Sequence, residues 1–212
     1  MDILLSEEYN AKRRNLISKE ASMEVRPGVI PGFGGKVLVR PKGGTPESFS
    51  KFDIGEPTVA RFDEPNPSSL GDTKGDTTHF DIIDKWGNMI AGTPSGGWLQ
   101  SSPIIPNLGF CLSNRGQMFW LDENSPACIG PKRRPRTTLS PSLALKDGLP
   151  YMVFGTPGGD QQDQWSLHLF LRHVHFGLNL QEAIDAPGFS TAHFPNSFYP
   201  RETDIGLSLI HI

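Results

Sequence analysis

The feature that most constrains the fold is a change of character at Thr77. Residues 26–75 are interrupted every few positions by Pro or Gly, as in "RPGVIPGFGG" and "DEPNPSSLGDTKG", and no hydrophobic period survives there. Such a long span without elements of its own is unusual in a compact domain and is typically functional or disordered. Directly after it, "TTHFDII", "DKWGN" and "MIAGT" read as strand, turn and returning strand. An ordered hairpin is therefore predicted to begin where the Pro- and Gly-rich segment ends.

The patterns on either side predict further helices and strands. A helix is expected over 7–18 with Ser6 as its cap, a strand over 108–113 ("LGFCLS"), and a hairpin over 140–155 with a two-residue turn at Asp147-Gly148. Two helices follow: one from the N-cap Asp160 to Gly177 at C′, and one over 180–185 with a capping box formed by Asn179 and Glu182. Strands followed by helices, without strict alternation, favour an α+β fold with a mostly antiparallel sheet.

Composition excludes several classes of function. The 212 residues carry a net charge of −3, which is unlike the basic excess of a nucleic-acid binder. The basic run "GPKRRPR" (130–136) is either a solvated loop or a carboxylate-binding element. No apolar stretch approaches the ~18 residues needed to span a bilayer, so neither nucleic acid nor membrane is expected as a partner.

The cysteines and histidines do not form metal-site patterns. Cys111 and Cys128 lack zinc-site spacing and do not form a disulfide framework, and Cys111, in an apolar run, is predicted to be a buried thiol. His168, His173 and His175 lack the i, i+4 spacing that a metal requires on one helix face, so they are predicted to lie at the surface or core edge. We expect no metal and no cofactor.

Three short motifs carry residues suited to chemistry. "GTPGGD" (155–160) offers glycine N–H groups before a helix, which suits an oxyanion, although a turn requiring positive φ explains the same glycines. The hydroxyls of "RPRTTLSPS" (134–142) either bind a polar head group or satisfy local backbone. Thr77 becomes a competent nucleophile if cleavage of the Asp76–Thr77 bond frees its α-amino group; otherwise Thr-Thr reflects β-propensity.

Together the motifs resemble the γ-glutamyltranspeptidase family of N-terminal-nucleophile hydrolases. The resemblance is carried by "DTTHFDIIDKWGN", "KRRPRTTLSPSLALKDGLPYMVFGTPGGDQQ" and "GLNLQEAIDAPGF", which cover most of residues 77–190. It implies an αββα sandwich and a precursor that cuts itself between Asp76 and Thr77. Residues 1–76 would then be the end of a large subunit with a pre-cleavage segment, and 77–206 a truncated small subunit. The last six residues, "LSLIHI" (207–212), resemble a sequencing adapter, so they are interpreted as a scar and left out of the fold prediction.

The resemblance also implies roles for individual residues. Thr77 would be the nucleophile, Ser95 a second hydroxyl in contact with it, and Gly158 and Gly159 the oxyanion-hole amides. Thr137 and Thr138 would bind the α-carboxylate of the donor. The substrate would be a γ-glutamyl amide such as glutathione, whose acyl group passes to water or to an amino acid or peptide.

One segment departs from the family pattern. Where the family reads "LNNQMDDF", this chain reads "LSNRGQMFW" (112–120), which puts Met118 near the position of the acid that binds the donor's α-ammonium, and Arg115 beside it. A family asparagine that helps to hold the donor falls at Gly97. Arg115 suits an extra carboxylate, so a glutaryl-type acylase is one alternative, and a non-catalytic homologue that binds small acids is another.

Overall fold

The computed structural model describes residues 2–32, 77–96, 104–198 and 201–211. It contains three two-stranded antiparallel sheets, and the α+β class with antiparallel sheets is confirmed. The sheets pair β1 (Phe80–Ile83) with β2 (Met89–Gly92), β3 (Ser142–Lys146) with β4 (Leu149–Phe154), and β5 (Gly188–Thr191) with β6 (Ser208–His211). The helices are α1 (Asp2–Leu5), α2 (Glu7–Arg14), α3 (Gln162–Val174) and α4 (Leu180–Asp185), and a 3₁₀ helix spans Asn114–Met118.

Both predicted hairpins are present, and their turns explain why. In the second hairpin Asp147 and Gly148 have φ of 54° and 78°, the pair of left-handed residues that a tight two-residue turn requires. In the first, the carboxylate of Asp84 accepts hydrogen bonds from the amides of Trp86 and Asn88, each at 2.9 Å. Local turn chemistry therefore closes each hairpin without help from distant parts of the chain.

The two hairpins lie against each other. A Cβ atom at Gly87, beside the first turn, would lie 3.2 Å from Cγ of Pro150, near the start of β4. At the other end a Cβ atom at Gly155, just after β4, would lie 2.3 Å from Cε1 of His79, just before β1. β1 and β4 therefore run in opposite directions alongside each other, and this arrangement brings residue 155 next to the chain that leads out of Thr77.

Helix α2 confirms its predicted cap but is shorter than expected. Ser6 caps it, because its hydroxyl accepts a hydrogen bond from the amide of Tyr9 at 3.2 Å. The helix ends at Arg14 rather than at residue 18. The guanidinium of Arg26 donates to the carbonyl of Leu16 at 2.9 Å, so a distant side chain occupies a carbonyl just beyond the helix end.

The cap of helix α4 was predicted correctly, whereas that of α3 was not. The capping box of α4 is complete: Glu182 N donates to Asn179 Oδ1, and Asn179 N donates to Glu182 Oε2, both at 2.9 Å. Helix α3 begins at Gln162 with Gln161 as its N-cap and no side-chain cap. Asp160 is not the cap, because its carboxylate accepts from Ser197 instead. At the other end Gly177 has the predicted left-handed φ, 71°.

The predicted strand over 108–113 is wrong. Only an isolated bridge between Ile104 and Cys111 forms there. Asn107 and Gly109 have φ of 67° and 73°, so the chain turns back on itself where a strand would need extended backbone. Cys111 is half-buried rather than buried, whereas Cys128 is buried, and both thiols are free.

The predicted positions of the histidines are confirmed. His173, half-buried at the edge of α3, pairs through Nε2 with the Tyr151 hydroxyl at 2.7 Å and through Nδ1 with the Leu178 carbonyl at 2.8 Å. His168 lies against the ring of Phe189 with centroids 4.2 Å apart. His175 is exposed.

The last segment takes part in the fold. Ser208–His211 forms strand β6 and pairs with β5 in the register Thr191↔Ser208 and Gly188↔His211. The pairing does not test the predicted origin of this segment as a sequencing scar, which stays a prediction. The predicted division at residues 76/77 also stays a prediction, because residue 76 lies outside the described residues.

Few apolar side chains of the described residues are buried. The buried ones are Met118, Cys128, Met152, Ala183 and Phe198. By contrast, the hairpins carry large exposed apolar side chains, for example Ile82 at 55% and Leu145 at 64%. Exposed apolar side chains of this size on both hairpins are available for contact with another part of the protein.

Candidate active site

The β1–β2 hairpin places Thr77 opposite Ser95. The ladder pairs Phe80 with Gly92, and the same register continues outward, since Thr78 N donates to the carbonyl of Pro94 at 3.1 Å. One step further, the Thr77 and Ser95 hydroxyl oxygens lie 2.8 Å apart in a hydrogen bond, and both residues are half-buried. A cross-strand pair at the mouth of a hairpin thus holds one hydroxyl against the other.

The next residue along, Gly96, brings the 3₁₀ helix to this pair. Gly96 is buried with φ of 67°, and its carbonyl accepts from Asn114 N at 2.7 Å. A Cβ atom there would lie 2.1 Å from Asn114 Oδ1 and 3.2 Å from Arg115 Nε. Only glycine at position 96 allows the side chains of Asn114 and Arg115 to approach the backbone this closely. Arg115 therefore lies beside Gly96, the residue that follows Ser95.

Arg115 and Met118, two of the departures from the family pattern, differ in their surroundings. Arg115 is half-buried, and burial lowers the pKa of its guanidinium from the ordinary value. A cation removed from water in this way is stabilised by an anion placed next to it. Met118 is fully buried and belongs to the interior of the 3₁₀ segment. Of these two side chains, Arg115 is therefore the one suited to a charged ligand.

The loop between β4 and α3 carries the predicted oxyanion-hole glycines. Gly158 and Gly159 are both buried, and Gly158 has φ of 138°, a backbone region that favours glycine. The loop begins at Gly155, which packs against the His79 ring. Gln162, fully buried in the first turn of α3, donates through Nε2 to the Gly158 carbonyl, and its own N–H donates to the Gly159 carbonyl at 3.2 Å. These bonds hold the two carbonyls on the helix side of the loop.

The two predicted carboxylate-binding threonines differ in exposure. Thr138 is 7% exposed, and within the described ranges its hydroxyl has no hydrogen-bond partner. Thr137 is exposed, and its hydroxyl accepts from Leu139 N at 3.1 Å. The preceding residue, Arg136, lies 3.4 Å from the carboxylate of Asp160, which ties this segment to the glycine loop.

The structure does not describe two of the predicted residues, and within the described residues it shows neither a metal-binding cluster nor a membrane-spanning helix. Asp76 and Gly97 lie outside the described residues. Among the residues that are described, no group of His, Cys, Asp or Glu side chains is arranged to hold a metal ion. In that same part of the chain no helix is long and apolar enough to cross a bilayer.

Comparison with known families and structures identifies the chain. The model of the family described as gamma-glutamyltranspeptidase matches residues 1–205. This chain belongs to the γ-glutamyltranspeptidase family. Membership confirms the predicted resemblance and places the fold in the N-terminal-nucleophile hydrolase class.

Relatives of this transpeptidase-family chain include enzymes with different names. It is 35% identical to the glutathione hydrolase proenzyme of Pseudomonas sp. (strain A14) over 132 residues, 57% of this chain and 23% of that protein. It is 34% identical to the oxamate amidohydrolase proenzyme of Klebsiella pneumoniae subsp. pneumoniae over 136 residues, 62% of this chain and 26% of that protein. The chain therefore spans about a quarter of the length of these curated relatives.

A solved structure is similar to this chain over nearly its whole length. The structure of LmbA2991T421A is 48% identical, has a TM-score of 0.73, and is matched over 99% of this chain and 34% of that one. The shared fold therefore includes both hairpins and the helices that follow them.

Two residues that organise this family member's site are not evident from the sequence. Gln162 holds the carbonyl of Gly158, and its only sequence signal is a polar residue at the start of an otherwise apolar helix face. Arg201, 6% exposed, donates to the carbonyls of Ser197 and Phe119, both at 2.7 Å, and to that of Gln117, so it fixes the segment that carries Arg115. Two of its three targets, the carbonyls of Gln117 and Phe119, lie more than 80 residues away in the chain, and no local pattern marks such a contact.

Proposed function

We propose that this chain carries the nucleophile of a self-processing threonine amidohydrolase and acyltransferase that cleaves γ-glutamyl amides such as glutathione. The observation that carries the proposal is the 2.8 Å contact between the hydroxyls of Thr77 and Ser95 at the mouth of the first hairpin. Family membership supplies the reaction class. A protein that only binds a small acid needs no such hydroxyl pair.

Maturation begins with an attack by Thr77 on its own peptide bond. The Thr77 hydroxyl oxygen adds to the carbonyl carbon of Asp76, the C–N bond breaks, and the acyl group moves from nitrogen to oxygen. Water then hydrolyses the ester, which leaves a carboxylate on Asp76 and a free α-amino group on Thr77. That amine becomes the base that the hydroxyl previously lacked.

Turnover uses the same oxygen. The freed α-amine accepts the Thr77 hydroxyl proton while the oxygen attacks the γ-amide carbonyl of the donor, and the proton passes on to the leaving amine. Gly158 and Gly159 donate their N–H groups to the developing oxyanion, and Ser95 orients the nucleophile through its hydrogen bond. The acyl-enzyme ester is then attacked by water or by the amine of an amino acid or peptide.

Residues around the Thr77–Ser95 pair bind the donor. Thr138, with its buried hydroxyl, and Thr137 bind the α-carboxylate of a γ-glutamyl donor. The rest of the site comes from a large subunit cut from the same precursor, which packs on the exposed apolar side chains of the hairpins. We therefore expect the 212-residue chain by itself to be inactive.

A second candidate function concerns the substrate head group. Arg115 lies beside Gly96 with a pKa lowered by burial, so a carboxylate suits this position better than an ammonium group does. A glutaryl-type amide has no ammonium group there. One relative is named an oxamate amidohydrolase, and oxamate likewise joins a carboxylate to an amide without an amine. These observations favour an acylase for glutaryl-type amides as the alternative.

The test uses a full-length precursor that contains this chain. Intact mass spectrometry after incubation is expected to show two products that meet at Asp76/Thr77, and Thr77→Ala is expected to stay uncut. A precursor that hydrolyses γ-glutamyl anilide while uncut would overturn the proposal. Rates on γ-glutamyl and glutaryl anilides then decide between the two candidates: a large preference for glutaryl anilide selects the acylase, and the reverse selects the transpeptidase.

A further inference from the structure

Directly behind the nucleophile pair, three side chains form a line on the same hairpin face. The side chains of residues 77, 79 and 81 lie on one face of the hairpin, because successive side chains of a strand point to opposite faces. Their cross-strand partners lie on the same face. His79 Nδ1 lies 2.8 Å from the hydroxyl of Thr93, which continues the cross-strand register by one pair inward from Thr77 and Ser95. His79 Nε2 lies 2.9 Å from the Asp81 carboxylate. Opposite Asp81 stands the small Ala91, which leaves space for the carboxylate.

The hydrogen-bond roles along this line follow from the chemistry of its ends. An ionised carboxylate only accepts, so Nε2 carries the hydrogen that reaches Asp81. In the neutral ring Nδ1 is then an acceptor, and Thr93 donates to it. Both ring nitrogens are occupied, and the side chains of His79 and Thr93 are largely removed from water, with 7% of the His79 side chain and 6% of Thr93 exposed, whereas 28% of the Asp81 side chain is exposed. The imidazole is therefore held in a single orientation.

The face of this fixed ring is the surface on which the glycine loop begins. A Cβ atom at Gly155 would lie 2.3 Å from Cε1, 2.7 Å from Nε2 and 2.9 Å from Nδ1 of His79. Gly155 does not have the positive φ that favours glycine, so the requirement for glycine here is one of space alone. Three residues later the same loop reaches Gly158. One ring therefore connects the strand of the nucleophile with the start of the oxyanion loop.

We infer that His79, held by Asp81 and Thr93, is a positioning residue that sets the oxyanion loop against the nucleophile strand. The inference rests on the proposed function, because it assigns Thr77 and Gly158 their catalytic roles. An oxyanion hole acts only at the correct distance from the reacting carbonyl, and a displacement of about 1 Å can lower a rate by ~100-fold. A side chain that serves stability only would leave the turnover of the folded enzyme unchanged.

The experiment removes the two hydrogen-bond partners of His79, one at a time, in a full-length precursor. Thr93→Val deletes the hydroxyl, Thr93→Ser retains it, and Asp81→Asn replaces the charged acceptor. Asp84→Asn is the matched control, because it makes the same chemical change in the turn of the same hairpin, where Asp84 bonds the turn amides. For each variant the rate of self-cleavage, kcat and KM on the preferred anilide, and the thermal midpoint are measured.

We expect Thr93→Val and Asp81→Asn to lower kcat and the self-cleavage rate between about tenfold and a hundredfold, with KM within about twofold. Thr93→Ser retains most of the activity, and Asp84→Asn lowers the thermal midpoint without this loss of kcat. If Thr93→Val and Asp81→Asn match Asp84→Asn in both readouts, the role is structural and the inference is overturned. An uncut, inactive wild-type precursor would instead overturn the proposed function.

A second variant approaches the contact from the loop side, in case Thr93→Val does not fold. Gly155→Ala adds a methyl group against the ring without removing either hydrogen bond. We expect it to lower kcat at least tenfold, while ¹⁵N spectra still show the Nε2–H tautomer of His79. Wild-type kcat in folded Gly155→Ala would show that the ring does not set the loop, and would overturn the inference.

Discussion

The carboxylate of Asp160 is held by both donors of Ser197. Asp160 Oδ2 accepts from the Ser197 amide at 2.7 Å, and Oδ1 accepts from the Ser197 hydroxyl. Ser197 is 1% exposed, and Asp160 directly follows Gly158 and Gly159. The C-terminal segment therefore fixes the far end of the glycine loop, just as His79 contacts its beginning.

Ser197→Ala is expected to destabilise the protein. It removes a donor from a charged, largely buried acceptor, and we expect a loss of about 1–3 kcal/mol in the free energy of unfolding, measured by urea denaturation of the full-length precursor. Ser166→Ala is the matched control, since Ser166 is also buried but its hydroxyl has no partner in the part of the chain that the structure describes. Equal losses in the two variants would contradict the role of the Asp160 contact.

Gly158→Ala is expected to impair catalysis more than stability. At φ of 138° a side chain strains the backbone by about 1–3 kcal/mol, and the strain shifts the amides that the oxyanion requires. Gly148→Ala places similar strain in the turn of the second hairpin, where no atom lies within 4 Å of the added Cβ. We expect both to lower the thermal midpoint but only Gly158→Ala to lower kcat, by at least about tenfold. Loss of kcat in both variants would point to a global effect.

Arg115→Leu is expected to reduce activity toward substrates that carry a carboxylate but no α-ammonium group. A hydrogen-bonded charge pair of about 1.5–3 kcal/mol corresponds to a fall of about 10- to 100-fold in kcat/KM for glutaryl anilide. The γ-glutamyl anilide should be affected less. Arg134→Leu, in the exposed basic run 130–136, is the control and also tests whether that run binds the carboxylate. A larger effect from Arg134→Leu would transfer the role from Arg115 to the run.

His168 is expected to make stability fall in acid. Burial, followed by the nearby charge of Arg172, lowers the pKa of His168 below its ordinary value of 6.5. Because the native pKa is the lower one, the unfolded state binds more protons as the pH drops below about 6.5, and stability is lost until the native group also titrates. Thermal midpoints from pH 7.5 to pH 5 should therefore fall less steeply in His168→Gln than in the wild type. His175→Gln, at the exposed helix end, should keep the wild-type slope.

Turn and cap chemistry explains which elements could be predicted. The Asp147-Gly148 turn, the capping box of Asn179 and Glu182, and the left-handed Gly177 all depend on residues within a few positions of one another. Such signals are contained in short stretches, so the hairpins and α4 match the predictions. The strand expected over 108–113 fails for a related reason, since its apolar residues suggested a strand while Asn107 and Gly109 turn the chain.

Misassigned ends arise where distant groups compete for a local partner. Asp160 has a side chain suited to capping α3, yet the buried Ser197 offers it two donors and the cap is lost. Helix α2 stops at Arg14, and the guanidinium of Arg26 takes a carbonyl just beyond it. Ser197 and Arg26 both lie outside the short stretches of sequence from which the helix ends were predicted.

Motif identity and hydrophobic alternation determined, from the sequence by itself, the family, the α+β class and the set of candidate residues around Thr77. Only the tertiary structure decided that Arg115 lies beside Gly96 while Met118 is buried, and that the ring of His79 lies against Gly155. The physical reason is the range of the interactions. Turn geometry and capping act between neighbours in the chain, whereas these contacts form only when hairpins and loops distant in sequence pack together and exclude water.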